Sequence, residues 1–140
     1  MECKVKKLTD TAKLPSYGRP GDAALDIYAD ISVMILGGER AIISTGIAIA
    51  VPPDHVGLVW DRSGLAANFG IHTMAGVIDP TYRGELFIVL RNTSQETYQI
   101  QQGDRIAQLL IQPASQVAVQ EVQELDQTVR NDGKFGSSGR

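Results

Sequence analysis

The sequence predicts an all-β domain, a sandwich or barrel of many short strands. Three observations carry this. Short apolar runs rich in Ile and Val recur at close intervals. Gly, Pro, Asn or Asp stands between most of them, as turns require. One stretch alone, Ser63 to Gly70, departs from strand-like patterning. At 140 residues the chain suits one domain and can bury a core without disulfides or metal staples.

The elements follow in order. "CKVKKL", from Cys3, alternates weakly. Asp26, in "GDAALDIYAD", lies between Leu25 and Ile27 in strand-like surroundings, where an acid either faces outward or holds a cation or an arginine. "RAIISTGIAIAVP", from Arg40, is a long strand with Gly46 in its middle. Val51-Pro52-Pro53-Asp54 ends it, because proline cannot pair in a central strand. "HVGLVW" follows from His55. "SGLAANFG", Ser63 to Gly70, has Leu, two Ala and Phe without alternation and predicts a short helix of two turns. "HTMAGVI" and "ELFIVL" are the next strands, and "GVIDPTYRGEL" between them reads as the tip of a buried hairpin. "YQIQ", "RIAQLLI" and "QVAVQEV" complete the set, with turns at Asn92-Thr93-Ser94 and Gln102-Gly103-Asp104. From Asp126 the chain is rich in Gly, Ser and charge, so residues 126–140 are expected to be a flexible arm on a domain of residues 1–125. Neither internal repeats nor a second domain is visible.

Composition narrows the function. The chain is 43% hydrophobic and 21% charged, an ordinary globular balance. A net charge of -3 and a pI near 5.3 give no basic field for nucleic acid. An anionic substrate would have to be held locally. Cys3 is the sole cysteine, so there is no internal disulfide and no cysteine-cluster zinc site. The start, "MECKVKKLTD", lacks a signal-peptide apolar region, and no apolar run approaches the ~20 residues of a membrane helix. The expectation is a soluble intracellular (cytoplasmic) protein with no membrane partner.

Several residues carry chemistry. Arg62 offers a planar charged fork suited to phosphate, Ser63 a hydroxyl, and Gly64 close backbone access. A helix starting there adds free N–H groups, although a capped helix with a surface arginine explains the same residues. Gln108 is polar inside an apolar run, facing solvent or buried with partners. The small-residue run Gly136-Ser137-Ser138-Gly139 can turn backbone N–H groups toward an anion. His55 and His72 lack metal-ligand spacing, and the chain has no H-E-x-x-H, G-x-S-x-G or P-loop. "GKFGSS", from Gly133, looks like the end of a Walker A motif but lacks its upstream glycine and a following apolar helix.

Taken jointly, "ALDIYA", "RSGLA", "GVIDPTYRGE", "GDRIAQLL" and "RNDGKFGSSG" occur in that order along nearly the whole chain. They closely resemble the five motifs of the trimeric dUTP pyrophosphatases (dUTPases). The resemblance implies a jelly-roll β-barrel with one short helix and a flexible C-terminal arm, assembled as a homotrimer whose active sites are shared between subunits. It implies hydrolysis of dUTP to dUMP and pyrophosphate with Mg²⁺, which excludes uracil from DNA and supplies the thymidylate precursor. By position in the motifs, Asp79 corresponds to the water-activating carboxylate and Tyr82 to the tyrosine packed on the deoxyribose. Gly76, Val77, Ile78 and the backbone at Phe87 line the uracil-reading hairpin. Thr73 stands where many bacterial members have a base-contacting asparagine. Asp26 corresponds to the acid that helps hold hydrated Mg²⁺. The same resemblance implies that Arg62, Ser63, Gly64 and Gln108 contact the phosphates, that Arg130 binds the γ-phosphate, that Phe135 stacks over uracil, and that Gly136, Ser137 and Ser138 supply phosphate donors from the arm. Arg83 is expected to be structural, in an intersubunit ion pair. Asp61 stands where proline is frequent, Ala24 where glycine is, and Asn131 and Lys134 replace two glycines of the arm. Two rivals share the fold. A dCTP deaminase would need a glutamate placed for deamination, where "GVIDPTYRGE" carries the hydrolase pattern. A nucleotide-sensing regulatory protein would signal through the bound state of its arm.

Overall fold

The computed structural model describes residues 1–132 and 134. Ten strands and one helix are named here in chain order: β1 Lys4–Lys7, β2 Leu25–Tyr28, β3 Val33–Ile35, β4 Arg40–Ala50, β5 His55–Trp60, α1 Ser63–Phe69, β6 Ile71–Met74, β7 Val77–Ile78, β8 Glu85–Asn92, β9 Tyr98–Ile100 and β10 Arg105–Pro113. They form two four-stranded sheets, β1-β4-β8-β6 and β2-β10-β5-β7, and a two-stranded ribbon, β3-β9. All pairings are antiparallel. The sheets share one core and do not join into a closed barrel among the described residues.

Alternation explains the core. In β8 Leu86, Ile88 and Leu90 point inward while Phe87 and Arg91 point out. Ile43, Ile47 and Ile49 of β4, Ile27 of β2, and Ala107 and Leu109 of β10 meet them in the same cluster. These β-branched and leucine side chains suit a pleated, half-buried surface.

β4 carries a bulge. Its register with β8 jumps from Ser44↔Phe87 to Ala48↔Glu85, so four steps on β4 oppose two on β8. Gly46 takes φ 64° at the bulge, and a Cβ there would meet Asp30 Oδ2 at 2.5 Å and Thr9 Oγ1 at 2.7 Å. The N–H of Gly46 donates to Glu85 Oε1 at 2.9 Å, and the Ser44 hydroxyl donates to the same oxygen. A side chain from the partner strand thus satisfies a donor the bulge removes from the ladder.

The expected single strand "HTMAGVI" is two strands in different sheets. β6 pairs with β8, and β7 pairs with β5. The chain crosses between sheets at Ala75 (φ 64°) and Gly76 (φ 137°). Only glycine fits at position 76, since a Cβ would stand 2.7 Å from Val59 Cβ. The expected hairpin is therefore not a two-stranded ladder: its arms, β7 and β8, belong to different sheets. The expected strand "QVAVQEV" is not formed either. Residues 114–132 have no regular structure and are exposed, with Val117 79% and Val119 93% accessible. The segment alternates well, but no strand among the described residues pairs with it, and an unpaired strand leaves its N–H and C=O groups to water.

Candidate active site

Two groups of the sequence-predicted residues come together, each at a different end of the β2-β10-β5-β7 sheet. The first group surrounds Asp26. Register places Asp26, Gln108 and Trp60 side by side across β2, β10 and β5, on the face opposite the core residues Ile27, Ala107 and Leu109. The strand β5 then runs out through Asp61 into α1, which starts at Ser63 with Arg62 as N-cap and ends at Gly70 in the left-handed region. Arg62, Ser63, Gly64 and Gln108 consequently line one cavity of about 220 Å³, together with Asn68 and Phe69. A Cβ on Gly64 would stand in open space. The packing of the chain does not require glycine at that position, whereas close approach by a ligand would.

Asp26 is nearly buried beneath two guanidinium groups. Arg62 Nε lies 3.3 Å from Oδ1 and Arg105 Nη1 lies 3.3 Å from Oδ2. Arg62 Nε is itself buried and finds no hydrogen-bond acceptor among the described residues. Proximity of charge, rather than a directed hydrogen bond, holds that contact. Arg62 Nη1 donates to the Arg105 carbonyl at 3.3 Å. The result is a fixed cationic pair over one carboxylate, suited to phosphate oxygens. No cluster of three or more His, Cys, Asp or Glu that could hold a metal exists among the described residues. One carboxylate cannot cage Mg²⁺, but an ion that keeps several waters and rides on phosphate oxygens needs no more. The donor set at Asp26 fits that hydrated, phosphate-borne ion.

The second group lies where β7 and β8 part. Val77, Ile78, Asp79, Tyr82, Glu85, Leu86 and Phe87 line a cavity of about 210 Å³. Its walls are unusual for adjacent chain segments. β7 is the edge of its sheet, and the β6–β8 ladder stops at Met74↔Val89, short of Phe87. Among the described residues each wall is thus paired on one side only, β7 with β5 and β8 at Phe87 with β4, which leaves the narrow slot an edge of backbone that no neighbouring strand covers. Val77 and Phe87 are exposed apolar side chains at its mouth.

The Asp79–Glu85 turn is tied on itself. Tyr82 N–H donates to the Asp79 carbonyl at 3.1 Å. Arg83 Nη1 donates to the carbonyls of Pro80 at 2.6 Å and Tyr82 at 2.7 Å. Tyr82 Oη donates to the Glu85 carbonyl at 2.8 Å. The exposed Asp79 carboxylate therefore projects from a rigid loop. Within the chain Arg83 acts structurally, through carbonyls of its own turn.

Thr73 does not line that cavity. Its N–H and Oγ1 both donate to Asp61 Oδ1 at 2.6 Å, and His72 Nδ1 lies 2.8 Å from Oδ2. Burial alone would raise the Asp61 carboxyl, but the hydrogen bonds from Thr73 and His72 outweigh it and hold it below the usual carboxylate range. Asp61, Arg105 and Glu85 are contributors that the sequence did not single out for these roles. Asp61 joins the segment bearing Arg62 to β6, and its partners lie eleven and twelve residues away. No local pattern marks such a contact.

The two groups are well separated within one chain. Three strand spacings and about four residues lie between Asp26 and Asp79, or roughly 17–20 Å at ~4.8 Å per strand and ~3.3 Å per residue. Of the arm, Asn131 takes φ 42° in a reciprocal turn, with Thr128 N–H donating to its Oδ1 at 2.8 Å and its N–H donating to Thr128 Oγ1 at 3.1 Å. Arg130 lies in that turn and is exposed. Phe135, Gly136, Ser137 and Ser138 lie outside the described residues.

Comparisons with known proteins show similarity over nearly the whole chain. The family model described as dUTPase matches residues 10–139. The deoxyuridine 5'-triphosphate nucleotidohydrolase of Syntrophotalea carbinolica is 45% identical over 140 residues, covering 97% of this chain and 95% of the relative. That of Clostridium kluyveri is 45% identical over 141 residues, covering 99% of each. Among solved structures, the dUTPase of Staphylococcus bacteriophage 80alpha with dUPNHPP has a TM-score of 0.93 at 29% identity, over 99% of each chain.

Proposed function

This chain belongs to the dUTPase family, and from that premise we propose that it hydrolyses dUTP to dUMP and pyrophosphate in a homotrimer whose active sites are shared between subunits. The observation that carries the reading is the slot between β7 and β8, with Asp79 and Tyr82 at its rim and an uncovered backbone edge along its walls. Main-chain groups reading the base edge accept uracil, and a mismatched exocyclic amine would leave buried groups unpaired. A slot this narrow would reject the methyl of thymine. Tyr82 packs its ring on the sugar where a ribose 2′-OH would stand.

Asp79 holds the attacking water and takes its proton. A free aspartate, with a pKa near ~3.9, is a weak base for water. Position and charge therefore do most of the work, and the tied turn supplies the position. Arg62 and Gln108 orient the phosphate chain, Ser63 approaches the bridging oxygen that leaves, and Arg105 shares the charge on Asp26. Asp26 would hold the Mg²⁺ ion through its waters, and the ion would supply charge neutralisation on the phosphates.

Sharing between copies follows from reach. A base must stand within ~3 Å of its proton or act through one water. Asp79 cannot reach a phosphate seated at Asp26 and Gln108 of its own chain across roughly 17–20 Å. A second copy that places its Asp26 group beside the first copy's Asp79 completes the site. Arg130, Phe135, Gly136, Ser137 and Ser138 form the lid over the nucleotide, on an arm of residues 126–140 following a domain of residues 1–125. A cytoplasmic location suits a nucleotide pool enzyme with one cysteine.

The test is pyrophosphate release by the purified protein with Mg²⁺, comparing dUTP, dTTP, dCTP and UTP. Selective turnover of dUTP is expected. Ammonia release from dCTP would instead make the chain a deaminase, and dUTP binding without turnover would make it a sensor.

A further inference from the structure

Tyr82 does not hold its place by itself. Its ring folds back over Gly84, so that a Cβ built on Gly84 would lie 2.5 Å from Tyr82 Oη, 2.7 Å from Cζ and 3.1 Å from Cε2. Ordinary contact begins near 3.4 Å, so the ring would have to move by about 1 Å. The backbone at Gly84 does not ask for glycine, as its φ is not in the left-handed region. The three atoms nearest to a methyl group there all belong to the Tyr82 side chain.

The ring is fixed at its far end too. Its Oη donates to the Glu85 carbonyl at 2.8 Å. Glu85 is in turn anchored by its own carboxylate, which accepts from Gly46 N–H at 2.9 Å and from the Ser44 hydroxyl of β4. The ring thus rests on a surface built from Gly84 and the Glu85 carbonyl, and that surface is clamped to the β4 bulge. We infer that Gly84 is a specificity-determining position: the absence of its side chain seats Tyr82 at the depth that rejects a ribose.

A methyl group at Gly84 pushes the ring outward into the cavity it shares with Asp79 or swings it aside, and breaks the Oη bond in either case. The sugar site then loses its defined floor. This rests on the proposed role of Tyr82, so the experiment separates the two. Steady-state kcat/KM is measured for dUTP and UTP with the native protein, Gly84→Ala, Tyr82→Ala and the double variant.

Tyr82→Ala should lower the dUTP/UTP ratio, and Gly84→Ala should lower it by about tenfold to a hundredfold, as a ~1 Å displacement does. In the double variant the glycine substitution should change the ratio no further, because the atoms it displaces are gone. A merely structural role for Gly84 would lower both activities by one factor and leave the ratio alone. An unchanged ratio in Gly84→Ala, with Tyr82→Ala relaxed, would overturn the seat while sparing the sugar gate. An unchanged ratio in Tyr82→Ala would overturn both. If Gly84→Ala does not fold, Gly84→Ala in the Tyr82→Phe background deletes the nearest clashing atom. That variant should fold and relax the ratio beyond that of Tyr82→Phe alone, and a ratio equal to that of Tyr82→Phe also overturns the inference.

Discussion

Replacing Asp61 by alanine should cost both stability and substrate affinity, and the structure gives the size. Asp61 Oδ1 accepts two hydrogen bonds from Thr73, a residue only 9% accessible. In the alanine variant the Thr73 N–H and hydroxyl lose their acceptor in a buried setting, at about 1–3 kcal/mol each. The third contact, to the exposed His72, adds little. Relief of the carboxylate's own desolvation offsets part of this, leaving a net loss of about 2–4 kcal/mol. For a chain of this size that corresponds to a fall in Tm of roughly 6–15 °C. Asp61→Asn keeps an acceptor oxygen for Thr73 and should lose only about 1 kcal/mol. Arg62 follows Asp61 directly, so KM for dUTP should rise in the alanine variant more than kcat falls. The pH dependence has a definite sign. The folded carboxyl sits below its unfolded value, so its contribution is present above the unfolded pKa of about 4 and is lost as pH falls through the lowered folded value. Scanning calorimetry at pH 7 and on acidification checks this: the Tm gap between native and Asp61→Asn should shrink in acid. A Tm for Asp61→Ala within about 2 °C of native would refute the reasoning.

Other perturbations have equally direct readouts. Asp79→Asn should retain dUTP binding by calorimetry yet lose turnover by about 10²–10⁴-fold or more, and near-native turnover would remove Asp79 from the role of base. Gly46→Ala forces a methyl to within 2.5 Å of Asp30 Oδ2 and 2.8 Å of Ala12 Cβ at φ 64°, so it should lose about 2–4 kcal/mol in thermal melts, with an unchanged Tm contradicting the packing. Truncation after Asp126 removes none of the buried core and should leave a folded oligomer by light scattering with little hydrolysis. Full activity without the arm would remove the lid from the mechanism.

Strand patterning carried most of the fold. The strand His55–Trp60 is where alternation and flanking turns put it, and α1 occupies the one stretch that lacks alternation. Local pattern failed where the decision is made between elements. "HTMAGVI" reads as one strand, but the close approach of Gly76 to Val59 sends its two halves to different sheets. "QVAVQEV" alternates like a strand, and whether it pairs depends on a partner strand that none of the described residues provides. The short β3 carries too few residues to stand out from its flanks. The grouping of Asp26, Arg62 and Gln108 at one end of the sheet, and of Asp79 and Tyr82 at the other, was legible because their motifs are contiguous and ordered. Asp61 and Glu85 were not, because each acts through a hydrogen bond to a residue distant in sequence. Gly84 read only as a turn residue, since nothing local says that a ring lies over it.

The claim that one site draws on two copies is tested most directly by complementation. Asp79→Asn and Arg62→Gln are each made separately, then co-expressed in equal amounts, and dUTP hydrolysis is measured. If Asp79 and Arg62 of a site come from different chains, random assembly pairs a native Asp79 with a native Arg62 in about one site in four. Activity near a quarter of native, from two variants that are each inactive alone, is the expected result. Activity no higher than that of the separate variants would place both residues of a site on the same chain and contradict the account.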